Sequence, residues 1–231
     1  MSIILGGRRY DVPGCPDTKN PLDDPRLPWM TDGHERTQRV AAIVLHTTKG
    51  RRGELITEPP PPSERAERYA RYQAGTKRDV SWCFSADTDG TIVQHNDPTG
   101  ACGGRAAPWV SWHAGWINEH SIGVEIVQTA DRAVYLAQLR VVVALVTFLC
   151  DQYGIPKRVP VGADGEPWNA PIYECVSRKR GGRQRVVEGV LGHRNVTTPD
   201  SRGPGDPGDH VMRAMLAGGF ARFDVAALAA Q

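Results

Sequence analysis

The sequence has no long apolar run. Over 231 residues nothing approaches the roughly 18 consecutive apolar residues of a membrane-spanning helix, so no membrane insertion is expected. The chain opens Met-Ser-Ile-Ile-Leu-Gly-Gly-Arg, whose three apolar residues in a row are too few for a signal h-region. Synthesis in the cytoplasm without a signal peptide is the expectation. Charge of one sign is also lacking: 28 Lys and Arg against 26 Asp and Glu leave +2, and no nucleic-acid partner is expected. One local basic stretch, Arg-Lys-Arg-Gly-Gly-Arg-Gln-Arg at 178–185, reads as a solvated loop. Cysteine is scarce: the five at 15, 83, 102, 150 and 175 are odd in number and form no CxxC pair. That pattern fits reduced thiols better than a disulfide framework.

What is there is enough apolar sequence, 40%, for one substantial core. Residues 1–38, rich in Pro, Asp and Gly, read as an extended arm or lid lying on the domain. Arg39 to His46 is a near-continuous apolar run of strand length that ends on a histidine. A helix is expected over Ser63 to Ala74. Val80–Ala86 and Thr91–His95 read as a hairpin turned by Asp89-Gly90. Ser121 to Gln128 reads as a strand with Glu125 in its middle, Ala133 to Tyr153 as the longest helix, and Val186 to His193 as a further strand. A last helix follows Pro207. The pattern predicts an α/β fold, a single domain with a central mixed β-sheet flanked by helices. Its boundaries are an arm at 1–38, a domain at 39–218 with a loop insertion at about 156–184, and a tail at 219–231. A monomer is expected.

Three possible metal ligands occupy comparable positions: His46 and His193 at strand ends, and Asp206 in a Gly- and Pro-rich loop. Two imidazoles and a carboxylate with an open fourth position suit catalytic Zn²⁺ better than a closed structural site. On spacing alone, a histidine at a strand end is more often a hydrogen-bonding residue than a metal ligand. Strand alternation turns Glu125 to the face opposite Val124 and Ile126, where a carboxylate beside a cation can take a proton from water.

These features recur in a fixed order: Ile-Val-Leu-His46, Val80-Ser with Asp89-Gly-Thr-Ile, Trp112-His-Ala-Gly115, Asn118, Ser121-Ile-Gly-Val-Glu125, Gly192-His193, and Asp206-Pro-Gly. Together they resemble the zinc-dependent N-acetylmuramoyl-L-alanine amidases, which share a fold with peptidoglycan recognition proteins and small phage endolysins. The resemblance spans about residues 38–218. It implies one Zn²⁺ held by His46, His193 and Asp206, Glu125 as general base, and peptidoglycan or muropeptides as the partner. It implies a binding or transition-state role for His113, and places Trp82, Trp112 and Asn118 at the substrate. Two positions depart from the pattern: Pro204 stands where many relatives have Lys, and Trp82 where others have Tyr. Arg202 is the candidate to replace the missing cation. The implied activity is hydrolysis of the amide between N-acetylmuramic acid and L-Ala, in a phage or prophage endolysin. A noncatalytic peptidoglycan-binding module of the same fold and a cytoplasmic muropeptide-recycling amidase are the alternatives. His34, His95, His120 and His210 read as ordinary surface or hydrogen-bonded residues.

Overall fold

The computed structural model describes residues 2–49, 54–60, 65–75, 80–100, 108–129, 132–172, 187–197 and 206–229. The basic stretch 178–185, Arg202, Pro204, Cys102 and Cys175 lie outside the described residues. In chain order the strands are β1 (Ile3–Leu5), β2 (Arg8–Tyr10), β3 (Thr18–Lys19), β4 (His34–Glu35), β5 (Ala42–Thr47), β6 (Leu55–Ile56) and β7 (Phe84–Ala86). There follow β8 (Ile92–Gln94), β9 (Trp109–Val110), β10 (Ser121–Ile126), β11 (Val134–Tyr135), β12 (Arg158–Val161), β13 (Gly189–Gly192) and β14 (Ala221–Asp224). The two long helices are α1 (Arg65–Gly75) and α2 (Leu136–Tyr153). Shorter helices span His193–Val196, Asp209–Ala217 and Val225–Ala229.

Six strands form the central sheet in the order β13-β5-β10-β7-β8-β3. β13, β5, β10 and β7 run parallel, β8 is antiparallel to β7, and β3 is parallel to β8, so the sheet is mixed as expected. Every residue of β5 is buried. A strand flanked by parallel neighbours and covered on both faces must be apolar nearly throughout, which is why its run was legible. The β7–β8 hairpin closes through Asp87 N to Thr91 O (2.8 Å) and Gly90 N to Asp87 O (3.0 Å). Gly90 sits at φ +91°, where a side chain would be strained.

The two faces of the sheet divide the labour. Ile43 and Leu45 of β5, Ile122, Val124 and Ile126 of β10, and Phe84 of β7 pack against Leu139, Val142, Leu145, Val146 and Leu149 of α2. By length and composition α2 is apolar enough to cross a membrane, but this stripe is buried in the core. The opposite face carries Ala42, Val44 and Leu191 with Ala114, Ile117 and Val196, and by alternation also His46, Glu125 and Ser85. Cys15, Cys83 and Cys150 are free and buried, as expected for reduced thiols.

Two local features differ from the expectation. The last core strand stops at Gly192, and His193 opens a four-residue helix instead of ending the strand. Side chains capture the backbone there: Gly192 N donates to Asn195 Oδ1 (2.8 Å) and Arg194 N to Asp206 Oδ1 (2.8 Å), closing a turn that extended pairing would forbid. The N-terminal segment contributes Ile3, Leu5, Val12 and Cys15 to the main core and β3 to the sheet. The Gln94 side chain holds it, accepting from Ile4 N and donating to Ile4 O, both at 2.7 Å.

Candidate active site

The parallel register sets the site. Glu125 of β10 lies between His46 of β5 and Ser85 of β7, and Gly192 pairs with Leu45, so His193 follows directly beside His46. The row lies at the carboxyl ends of four parallel strands, where open α/β sheets bind their ligands. The His46 and His193 rings are 4.7 Å apart between centroids. Asp206 is tied to both: its carbonyl accepts from Thr47 Oγ1 (3.0 Å), and its carboxylate accepts from Arg194 N. Thus the residue after each histidine hydrogen-bonds Asp206, the third candidate ligand.

His113 reaches the same place from the loop before the 3-10 turn Gly115–His120. Asn118 shapes that loop, its Oδ1 accepting from His113 N (2.9 Å) and Ala114 N (2.6 Å). The hydrogen bonds fix the ring tautomers. Ser121 Oγ gives its own proton to Ile117 O (2.7 Å), so the 3.3 Å contact with His113 Nε2 uses the N–H of the ring. A neutral His113 then accepts at Nδ1 from His46 Nε2, 3.2 Å away. This leaves the lone pair of a neutral His46 on Nδ1.

Electrostatics agree with that assignment. Burial, with His193 and His113 nearby, holds His46 well below the ordinary histidine value. Burial likewise lowers His113 to about 3 and His193 to about 4. Two neutral imidazoles and a carboxylate fit Zn²⁺, and ligands already free of protons bind it without a titration cost. Among the described residues no group of three or more His, Cys, Asp or Glu side chains converges closely enough to hold a metal ion, so Asp206 stands hydrogen-bonded to Arg194 N rather than gathered with the two imidazoles. Glu125, 6% exposed, is raised by burial to about 8.

The remaining candidates form the surroundings. Trp112 is half-buried, its ring 4.5 Å from that of His34, and its backbone N–H donates to Ser81 Oγ (2.9 Å). Trp82 is 7% exposed and gives its indole N–H to Ser85 Oγ (2.6 Å). Sequence reasoning did not single out Ser85, which the period-2 alternation that revealed Glu125 would also have found.

Gly123 has a steric role. A Cβ there would stand 2.6 Å from His113 Cγ, so the glycine lets the imidazole lie flat on β10. Gly123→Ala is expected to push the ring off His46 and to destabilise the fold by about 1–3 kcal/mol, read from urea midpoints. A midpoint equal to that of the parent would contradict this packing.

Of the four other histidines, His95 is the most buried. Its Nε2 lies 2.7 Å from Ser85 Oγ, and burial lowers it to about 3. A histidine depressed in the folded state stabilises above its unfolded value near 6.5, and that stability is lost as pH falls. Metal-free protein should therefore lose up to about 1.4 kcal/mol per pH unit from this residue below pH 6.5, with a smaller slope in His95→Gln. Identical urea midpoints at pH 7 and pH 5 would contradict this.

The family model of N-acetylmuramoyl-L-alanine amidases matches residues 36–209. Among solved structures, the N-acetylmuramoyl-L-alanine amidase LysC from Clostridium intestinale URNW is 14% identical, with 87% of this chain and 98% of that one covered and a TM-score of 0.43. A mutant endolysin from Bacillus subtilis is 16% identical over 80% of this chain and 89% of that one, TM-score 0.45. Peptidoglycan recognition protein-LE, in complex with tracheal cytotoxin, is 12% identical over 86% and 91%, TM-score 0.48. No curated protein sequence matches the chain. The family match runs from the residues before β5 to the first residue of the helix after Asp206, taking in every member of the site row, and the chain belongs to the N-acetylmuramoyl-L-alanine amidase family.

Proposed function

We propose that the protein is a zinc-dependent peptidoglycan hydrolase that cleaves the amide between N-acetylmuramic acid and the L-Ala of the stem peptide. The observation that carries this reading is the cross-strand row of His193, His46 and Glu125, with Asp206 anchored to Thr47 and Arg194 beside it. His46, His193 and Asp206 would hold the metal, which when bound supplies a Lewis acid and a more acidic water. Glu125 takes the proton of the attacking water and returns it to the departing L-Ala amine. Its burial gives it a proton affinity suited to both halves of that exchange, and a cation nearby favours the carboxylate form. His113 fixes His46 through Nε2, and Asn118 fixes His113. Trp112 lines the approach, and Arg202 is the cation assigned to the developing oxyanion.

The same reading assigns residues 39–218 to the catalytic domain, its core and sheet completed by the N-terminal segment, with the 156–184 segment shaping the groove. It casts the chain as a phage or prophage endolysin acting on the wall after release. One observation favours the second reading, a recognition module without turnover: the Asp206 carboxylate is engaged by Arg194 N–H. Incubating the zinc-loaded chain with a soluble muropeptide separates the two. Turnover that a chelator abolishes and added zinc restores supports the amidase; saturable binding with no new amine supports the recognition module.

A further inference from the structure

A buried chain of polar groups leads away from the site row and plays no part in the hydrolysis set out above. His95 and Ser85 are fully buried, and Ser85 Oγ, 2.7 Å from His95 Nε2, accepts the Trp82 indole N–H. These bonds leave the Trp82 indole one orientation. Against it, edge to face, stands the ring of Tyr69, with centroids 5.5 Å apart and planes at 64°. Tyr69 is carried on α1, which is itself pinned. Ala66 N donates to Asp87 Oδ2 (2.8 Å), Arg65 Nη1 donates to Gln128 O (3.1 Å), and Ala66 and Ala70 are buried against Val93 and Val127. The phenol makes a hydrogen bond with Thr48, the residue after β5, and lies within electrostatic reach of Glu125. Burial raises its proton affinity, so it is a neutral donor at ordinary pH.

Trp82 has no hydrogen to offer substrate, because its N–H is already given to Ser85. What it offers is a wall that aims Tyr69. We propose that Tyr69 is a substrate-contacting residue of this site, its phenol donating a hydrogen bond to the scissile amide. The proposal rests on the amidase reading, and it explains why an indole stands where a phenol was expected: the donor comes from the neighbouring helix. A preorganised donor of this kind acts on the transition state more than on binding.

The test uses the zinc-loaded full chain and a soluble muropeptide. Tyr69→Phe keeps the ring on Trp82, so Tm and KM should stay at parent values while kcat falls 10-fold or more. In a Glu125→Gln background the same substitution should cost less than twofold, because both groups serve one step. An active parent matched in kcat by Tyr69→Phe overturns the proposal, as does a loss of turnover explained by a collapsed melting transition. A parent that binds the muropeptide and releases no stem peptide overturns the amidase reading itself, and this proposal with it.

Discussion

Glu125→Gln is expected to lower kcat for muropeptide cleavage by about 10³-fold while zinc content and muropeptide affinity stay at parent values. The expectation follows from the register. Glu125 stands beside His46 on the buried face of β10, and its carboxylate has no ion pair with a described residue. An acid buried without an ion pair among the described residues has no evident stabilising work to do there. Burial raises it to about 8, so in the metal-free protein it is neutral at pH 7, and an isosteric neutral amide takes its place without desolvating a charge. The Tm of metal-free Glu125→Gln should thus equal or exceed that of the parent. A variant that keeps a tenth or more of parental kcat would remove Glu125 from the chemistry, and a large fall in Tm would assign it to the fold.

His193→Ala is expected to weaken zinc binding by more than 100-fold and to bring cleavage below detection. Removing even a residue that merely supports a ligand costs about 10–100-fold in metal affinity, and His193 is proposed as a ligand. It is the cleanest of the three to remove. His46 is 4% exposed and holds His113, so its loss would disturb the packing. Asp206 also accepts from Arg194 N and Thr47 Oγ1 through its side chain and carbonyl. His193 is half-buried at the start of a helix, and its ring is held below ordinary histidine by burial and by Arg194. Equilibrium dialysis followed by elemental analysis should give one zinc per parent chain and almost none for the variant. Equal zinc in both would exclude His193 as a ligand.

Much of this was legible in the sequence because the central strands obey simple burial rules. β5 reads as an apolar run because both of its neighbours are parallel and both faces are covered. Glu125 stands out because Val124 and Ile126 on either side belong to the α2 face. The Asp89-Gly90 turn announces its hairpin, and Gly154, at φ +63°, ends α2 where the helical pattern stops. Other parts had no local signature. β3 is two residues long and is held by its pairing with β8, and the core side chains of the N-terminal segment arrive singly, with no period. His193 was read as a strand end because the apolar run continues to it, yet the carboxylate that turns the backbone there is twelve residues away. Tyr69 and Ser85 join the site only through a helix docked on the sheet and a register between strands, which periodicity along one segment does not encode.

The claim that joins these parts is that the row at the carboxyl ends of β13, β5 and β10 hydrolyses one particular bond with the help of a metal. Digestion of purified peptidoglycan with the full chain, with and without a chelator, followed by mass spectrometry of the new ends, tests it most directly. The account predicts release of stem peptides bearing free L-Ala amines, with the glycan strands left intact and no release in the presence of the chelator. New reducing sugar ends, or an unchanged polymer that retains the protein, would contradict it.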